Sequence, residues 1–195
     1  MIIIGITGSI GMGKSTIARQ FAALGAKMCK ADDVVHALLS KGGAGVGPVA
    51  NAFPESAEEG AISREKLGKC VFGNPAALAR LEAILHPLVA REEKRFVDRQ
   101  RRLGARIVAL DIPLLFETGA QVRCTHTVVV TAPSFLQRRR VLRRKGMNAQ
   151  KLVAISERQL PDRDKRKHAD FVIHTGLGKA YSFREVKRMM RKLGR

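Results

Sequence analysis

Apolar residues along this chain fall into blocks of two periods. Short apolar runs at Ile2, Ile3, Ile4 and Ile6, from Arg106 to Asp111 and from Thr127 to Thr131 predict buried strands of a parallel sheet, and Ala26 to Cys29 and Phe171 to Ile173 predict two further short strands. Between them the spacing turns helical. Ile17, Phe21 and Leu24 stand at i, i+4 and i+7, and Val34, Val35, Leu38 and Leu39 mark a short second helix. Leu78, Leu81 and Leu85 continue the pattern from Pro75. That helix is expected to stop at His86-Pro87, because proline disfavours helical geometry in the residue before it. Another stretch then carries Leu88, Val89 and Phe96, and a closing helix carries Val186, Met189, Met190 and Leu193. Lys41 to Pro48 reads as a flexible connection, and Ser63 is a candidate cap for a helix that follows it. Ala132-Pro133 opens a cation-dense helix that Gly146 breaks, with a second from Asn148 to about Leu160. The order predicts an α/β fold: a parallel-sheet core (about 1–39, 104–136 and 168–195), an inserted helical subdomain (about 40–103) and a helical lid (about 137–167).

The first strand runs into Gly8-Ser9-Ile10-Gly11-Met12-Gly13-Lys14-Ser15, which matches G-x-x-x-x-G-K-[ST] in the strand–turn–helix setting that gives the motif its meaning. Its glycines let successive backbone N–H groups turn inward around a phosphate. Lys14 is then placed to reach the β- and γ-phosphates, and the Ser15 hydroxyl to ligate Mg²⁺. Carboxylates stand at two strand ends, where ligands sit in open α/β sheets. Asp111 has the position of a Walker B acid. Asp32 and Asp33 read either as contacts to Mg²⁺ or an acceptor hydroxyl, or as caps of the next helix. Arg138, Arg139, Arg140, Arg143, Arg144 and Lys145 suit a mobile lid that brings cations onto a transferring phosphoryl group, the bland reading being a solvated face. His86 reads as a substrate contact at a kink or, preferably, as a partly buried structural histidine.

Composition narrows the partners. A length of 195 residues fits one domain, and 36 Lys+Arg against 17 Asp+Glu leaves a formal charge of +19. Such a charge suggests nucleic acid, an acidic membrane surface or small phosphorylated substrates. One tyrosine, no tryptophan and no aromatics interleaved with the cations argue against single-strand stacking. Three scattered cysteines without a C-x-x-C indicate neither a disulfide framework nor a zinc site, which fits the reducing cytoplasm. No signal-peptide pattern and no run of membrane-span length is expected.

Taken together the landmarks resemble one family, dephospho-CoA kinase. They are Ile4 to Ser15, Ala31-Asp32, Leu85-His86-Pro87, the run Asp111-Ile112-Pro113-Leu114-Leu115-Phe116-Glu117, then Gln137, Arg140 and Arg144, then Lys165 with Ala169 to Ile173. The resemblance implies a P-loop NTPase-type core and ATP-dependent phosphorylation of the 3′-hydroxyl of dephospho-CoA, with Mg²⁺ as cofactor. It implies that the helical subdomain binds CoA. Carried over by position, Gly11, Met12, Gly13, Lys14, Ser15 and Thr16 bind the ATP phosphates, Arg140 is a lid cation on ATP, Lys14 and Asp32 are catalytic, and Asp32, Arg64 and His86 hold dephospho-CoA. Expected partners are ATP and dephospho-CoA, with no specific nucleic acid and no membrane; oligomeric state is left open. The rivals are another small-molecule or nucleotide kinase of the same core, or a basic RNA-binding P-loop ATPase. One position departs from the family. Where Asp-Ala-Asp usually ends the second strand, its first aspartate the proposed base, this chain has Lys30. An ordinary lysine, with a pKa near 10.4, is an ammonium at neutral pH and no base.

Overall fold

The computed structural model describes residues 1–194. The five expected strands are present as β1 (Ile2–Thr7), β2 (Lys27–Lys30), β5 (Ile107–Asp111), β6 (His126–Thr131) and β7 (Phe171–His174), in the sheet order β2-β5-β1-β6-β7. β1 pairs in parallel with β5 and β6, and β6 with β7. The register sets Ile6 beside Asp111 and Thr7 beside Val129, so the loop after β1 leaves from the same edge as the Asp111 carboxylate. The chain divides into two compact units, one from Met1–Met28 and from Gln100 onward, the other Cys29–Arg99.

In the first unit, helix α1 (Lys14–Ala23) and helix α9 (Lys179–Leu193) cover the sheet. Ile17 and Phe21 from α1 and Val186 and Met189 from α9 join Ile4, Ile6, Val128 and Val130 in one buried cluster. Burying each such side chain stabilises by roughly 1.5–3 kcal/mol, which is why these periods determine the fold. The outer pair of strands is pinned by polar contacts as well. Asp170 accepts from the Thr127 amide (2.7 Å) and hydroxyl (2.8 Å), and those bonds hold its carboxyl below the usual carboxylate range. Three short helices fill the region between β6 and α9: α6 (Ser134–Leu142), α7 (Ala149–Glu157) and α8 (Asp162–Lys167). Asn148 caps α7 by accepting from the Lys151 amide at 2.8 Å. Pro133 precedes α6 in an extended conformation instead of sitting in its first turn.

The second unit contains α2 (Ala31–Leu39), α3 (Val46–Ala52), α4 (Arg64–Val71) and most of α5 (Pro75–Arg102). Its core is Leu39, Val49, Phe53, Ile62, Leu67, Leu81 and Leu85. A small antiparallel hairpin, β3 (Ala57–Glu58) with β4 (Ala61–Ile62), turns through Glu59 and Gly60, both at positive φ. Three sequence expectations need correction. The helix from Pro75 does not stop at His86-Pro87; α5 runs through Pro87 to Arg102. An interior proline costs about 3 kcal/mol through its lost hydrogen bond and ring clash. Leu81, Leu85 and Val97, buried on both sides of it, offset that cost. Ser63 precedes α4 but makes no side-chain capping bond. Nor do the aspartates cap α2: Lys30 holds that position, and Asp32 and Asp33 lie in the first turn, where their charge favours the helix dipole.

Candidate active site

The loop between β1 and α1 is shaped by close approach. A Cβ on Gly8 would lie 2.5 Å from the Val130 carbonyl oxygen, so only glycine lets the chain pass β6 there. Gly13 takes φ 95° and starts α1 with no side-chain cap; the Thr16 amide turns back to the Gly13 carbonyl at 2.9 Å, and the amides of Lys14 and Ser15 open the helix toward an anion. Ser15 and Thr16 belong to this turn. Lys14 Nζ donates to the Oδ1 atom of Asp111, the buried acid ending β5. A lysine and a strand-terminal carboxylate thus face each other across the loop.

The loop's own carbonyls are gripped from outside. Ile10 is held at both ends of its backbone: Gln159 Oε1 accepts from its amide (3.1 Å), and Gln137 Nε2 donates to its carbonyl (2.9 Å). Thr175 Oγ1 donates to the Met12 carbonyl at 2.6 Å. Arg140 braces that threonine, donating from Nη1 to Thr175 Oγ1 and from Nη2 to the Thr175 carbonyl, both at 3.0 Å, with Nη1 also 3.4 Å from the Gly11 carbonyl. Arg140 therefore reaches the phosphate loop from α6, while its neighbour Arg139 is exposed. A cavity of about 620 Å³ opens beside Ser9 and Met12, lined by residues of α6 and α7.

The segment after β5 forms a second layer. The Pro113 carbonyl accepts from the Thr7 hydroxyl (2.9 Å) and from Lys165 Nζ (3.4 Å). Lys165, fully buried, pairs with Glu117 Oε1 at 2.8 Å, and the same oxygen accepts from the Leu160 amide at 2.8 Å. Glu117 thereby ties the turn after β5 to the chain between α7 and α8. Sequence reasoning gave Glu117, Lys165 and Gln137 no role beyond family likeness, and passed over Thr175 and Gln159. One buried lysine inside Arg163 to Lys167 looks like any other member of a charged run.

The structure thus brings together Gly11, Met12, Gly13, Lys14, Ser15, Thr16 and Arg140 in the first unit. Asp32, Arg64 and His86 belong to the second, on α2, α4 and α5, and all three side chains are exposed. Exposure corrects the preferred reading of His86 as partly buried, and the continuous helix removes the kink it was expected to mark. Lys30 is exposed and pairs with Asp33 at 3.3 Å. Cys29 is no nucleophile: burial, then the Glu93 and Asp33 carboxylates, push its thiol up to about 12. Among the described residues no cluster of His, Cys, Asp and Glu could hold a metal alone, and no helix is long and apolar enough to cross a membrane.

Known proteins match this chain from end to end. The family model described as dephospho-CoA kinase matches residues 2–178. A protein named dephospho-CoA kinase from Mesorhizobium japonicum is 49% identical over 99% of this chain and 97% of its own length. Its namesake from Rhodospirillum rubrum is 54% identical over 95% and 89%. Among solved structures, one of a Thermus thermophilus protein superposes with a TM-score of 0.82 at 35% identity, covering 98% of this chain and 97% of the other. The dephospho-CoA kinase of Campylobacter jejuni superposes with a TM-score of 0.63 over 97% and 96%; at 24% identity that likeness speaks for the fold alone.

Proposed function

This chain belongs to the dephospho-CoA kinase family, and on that footing we propose how its residues divide the transfer of a phosphoryl group from ATP to dephospho-CoA. It is a kinase of coenzyme A biosynthesis with ATP as phosphoryl donor. The observation that carries the assignment of roles is the phosphate loop with Lys14 facing Asp111 and Arg140 braced behind it.

In the proposed reaction the 3′-hydroxyl oxygen of the acceptor ribose attacks the γ-phosphorus. The bond from that phosphorus to the β–γ bridging oxygen breaks, and ADP departs. Backbone donors of Gly11 to Thr16 cradle the phosphates, and Lys14 leaves Asp111 to neutralise the β- and γ-oxygens. Because the transition state is loose, positioning and charge do most of the work. Mg²⁺ fits the oxygen-only donors here, the Ser15 hydroxyl with Asp111 nearby; bound with ATP it would neutralise charge on the phosphate oxygens. Helices α6 to α8 act as a lid. The helical segment from about residue 40 to 103 receives dephospho-CoA, with Arg64 and His86 available on exposed faces. A cytoplasmic enzyme without a specific nucleic-acid or membrane partner completes the proposal. The test is a screen of acceptors with labelled ATP: dephospho-CoA should gain one phosphoryl mass with ADP released. Faster phosphorylation of adenosine, a nucleoside monophosphate or shikimate would overturn the substrate assignment.

Asp32 is proposed to orient the ribose hydroxyl and take its proton. Asp32→Asn should lower kcat by more than about tenfold, the weak end of general-base catalysis. Lys30→Asp should raise kcat by restoring the family's acid. Its loss removes only an exposed pair with Asp33, a kind worth about 0–1 kcal/mol. If Lys30→Asp abolishes turnover at saturating ATP, Lys30 has a positive role of its own. A silent Asp32→Asn would reduce the aspartate to a dipole partner of α2.

The lid assignment is tested by neighbours on one helix. Arg140→Ala should cut kcat by at least roughly tenfold, since it removes a cation from the phosphates and a brace from the loop. Arg140→Lys should recover little, because an ammonium cannot make the forked contacts to Thr175. Arg139→Ala should stay within about twofold of the parent, an estimate for a solvated cation at high dielectric. Equal, small effects at both positions would make the arginine run a solvated face.

A further inference from the structure

Helix α9 carries cations that the kinase reaction does not use. Arg184, Lys187, Arg188, Arg191 and Lys192 are exposed and recur at i, i+3, i+4, i+7 and i+8, so they form one continuous stripe. These five side chains alone line a shallow basin of about 460 Å³. The only carboxylate on the helix, Glu185, is spent on Arg188 at 2.8 Å. The stripe ends at the edge of the sheet opposite the phosphate loop. There Lys187 and Arg191 share a groove with Arg106 and with Ile2 and Ile107, which open β1 and β5.

We infer that this face of α9 is a non-specific docking surface for the phosphodiester backbone of duplex nucleic acid. Charge density matches first. From Arg184 to Lys192 the helix rises about 12 Å, a length over which a duplex presents about seven negative charges. The absence of anything else on the stripe comes second. The neighbouring rings are covered, Tyr181 by Arg184 at 6.0 Å and Phe171 by Lys192 at 5.9 Å, so no aromatic face is offered to an unpaired base. A protein partner would want an exposed apolar anchor, and every exposed position from 184 to 192 is a cation. A membrane would want an insertable apolar face, and that of α9 is committed to the core through Val186 and Met189. What remains reads phosphates and nothing more.

The experiment is fluorescence anisotropy of the full chain with a labelled 20-base-pair DNA duplex of mixed sequence, from about 50 to 200 mM KCl. With four cations not engaged to a carboxylate, the slope of log K against log salt should be about −3.6. Two unrelated sequences should bind within about twofold of each other, as contacts to backbone alone require. Lys187→Glu with Arg191→Glu should weaken binding by at least about tenfold and flatten the slope by about two, leaving kinase activity unchanged. The neutral pair Lys187→Gln with Arg191→Gln removes the same two cations, so it should flatten the slope by about two as well while weakening binding less, and it serves should charge reversal disturb folding. The same reversal at exposed Arg143 and Lys145 should matter far less. The inference is overturned if the two reversals weaken binding equally, if the α9 variant binds like the parent, if one sequence is preferred by tenfold, or if vesicles containing phosphatidylglycerol outcompete the duplex at equal phosphate.

Discussion

Lys14→Ala is expected to lower kcat by at least about 10²-fold, the loss typical when one preorganised charge donor is removed from a transition state. The structure adds a second consequence, because Lys14 also neutralises Asp111, which is only 5% exposed. The single variant leaves that carboxylate buried without its partner, at a cost of about 1–3 kcal/mol. A chain of this size should then melt several degrees lower, since each kcal/mol moves Tm by about 2–4 °C. Adding Asp111→Asn removes the stranded charge, so the double variant should regain most of the stability and none of the turnover. Turnover tracking stability through all three proteins would mean that Lys14 serves the fold and not the phosphates. Undiminished kcat in Lys14→Ala would end the phosphate-loop assignment.

The largest stability effect is expected at Lys165. Its ammonium is fully buried against Glu117 and has the Pro113 carbonyl as a further partner. Removing one member of a buried pair strands the other, which costs about 3–5 kcal/mol. Lys165→Met should therefore lower Tm by roughly ten degrees. In the double variant with Glu117→Gln, an amide oxygen remains for the Leu160 amide and no charge is left behind. That protein should recover most of the loss. Calorimetry of the four proteins makes a double-mutant cycle, and strictly additive losses would show that the pair is not coupled. Activity offers a separate reading, since Glu117 joins the turn after β5 to the chain leading into α8. A recovered Tm with a raised KM for ATP would place the pair's value in holding the lid to the core.

The centre of the sheet was legible because β1, β5 and β6 are rich in aliphatic residues buried on both faces, which leaves such runs few alternatives. The phosphate loop was legible because its glycines are spaced by the geometry they serve. Pro87 misled because its local cost is real, but it is outweighed by leucines and a valine on either side that only the folded core brings into use. The tiny hairpin at Ala57–Ile62 has no hydrophobic alternation to announce it; it rests on a turn through Glu59 and Gly60. Polar contacts were the least legible part. Thr175 looks like a loop threonine until Met12 and Arg140 converge on its hydroxyl. Lys165 differs from its charged neighbours only in facing inward, which depends on Glu117 forty-eight positions earlier, and no local pattern encodes that distance.

The grip on Ile10 has a consequence for how this sequence can drift. Both glutamines hold the peptide and not the side chain, so a change of side chain at position 10 leaves both bonds in place. The glutamines themselves are not equivalent. Gln159 accepts a hydrogen bond from the Ile10 amide, whereas Gln137 donates one to its carbonyl. A glutamate at 159 still presents an oxygen to that N–H and keeps the contact. A glutamate at 137 points a carboxylate at a lone pair and loses it. One identical exchange, silent at one site and damaging at the other, gives this loop a mutational polarity that residue type alone conceals.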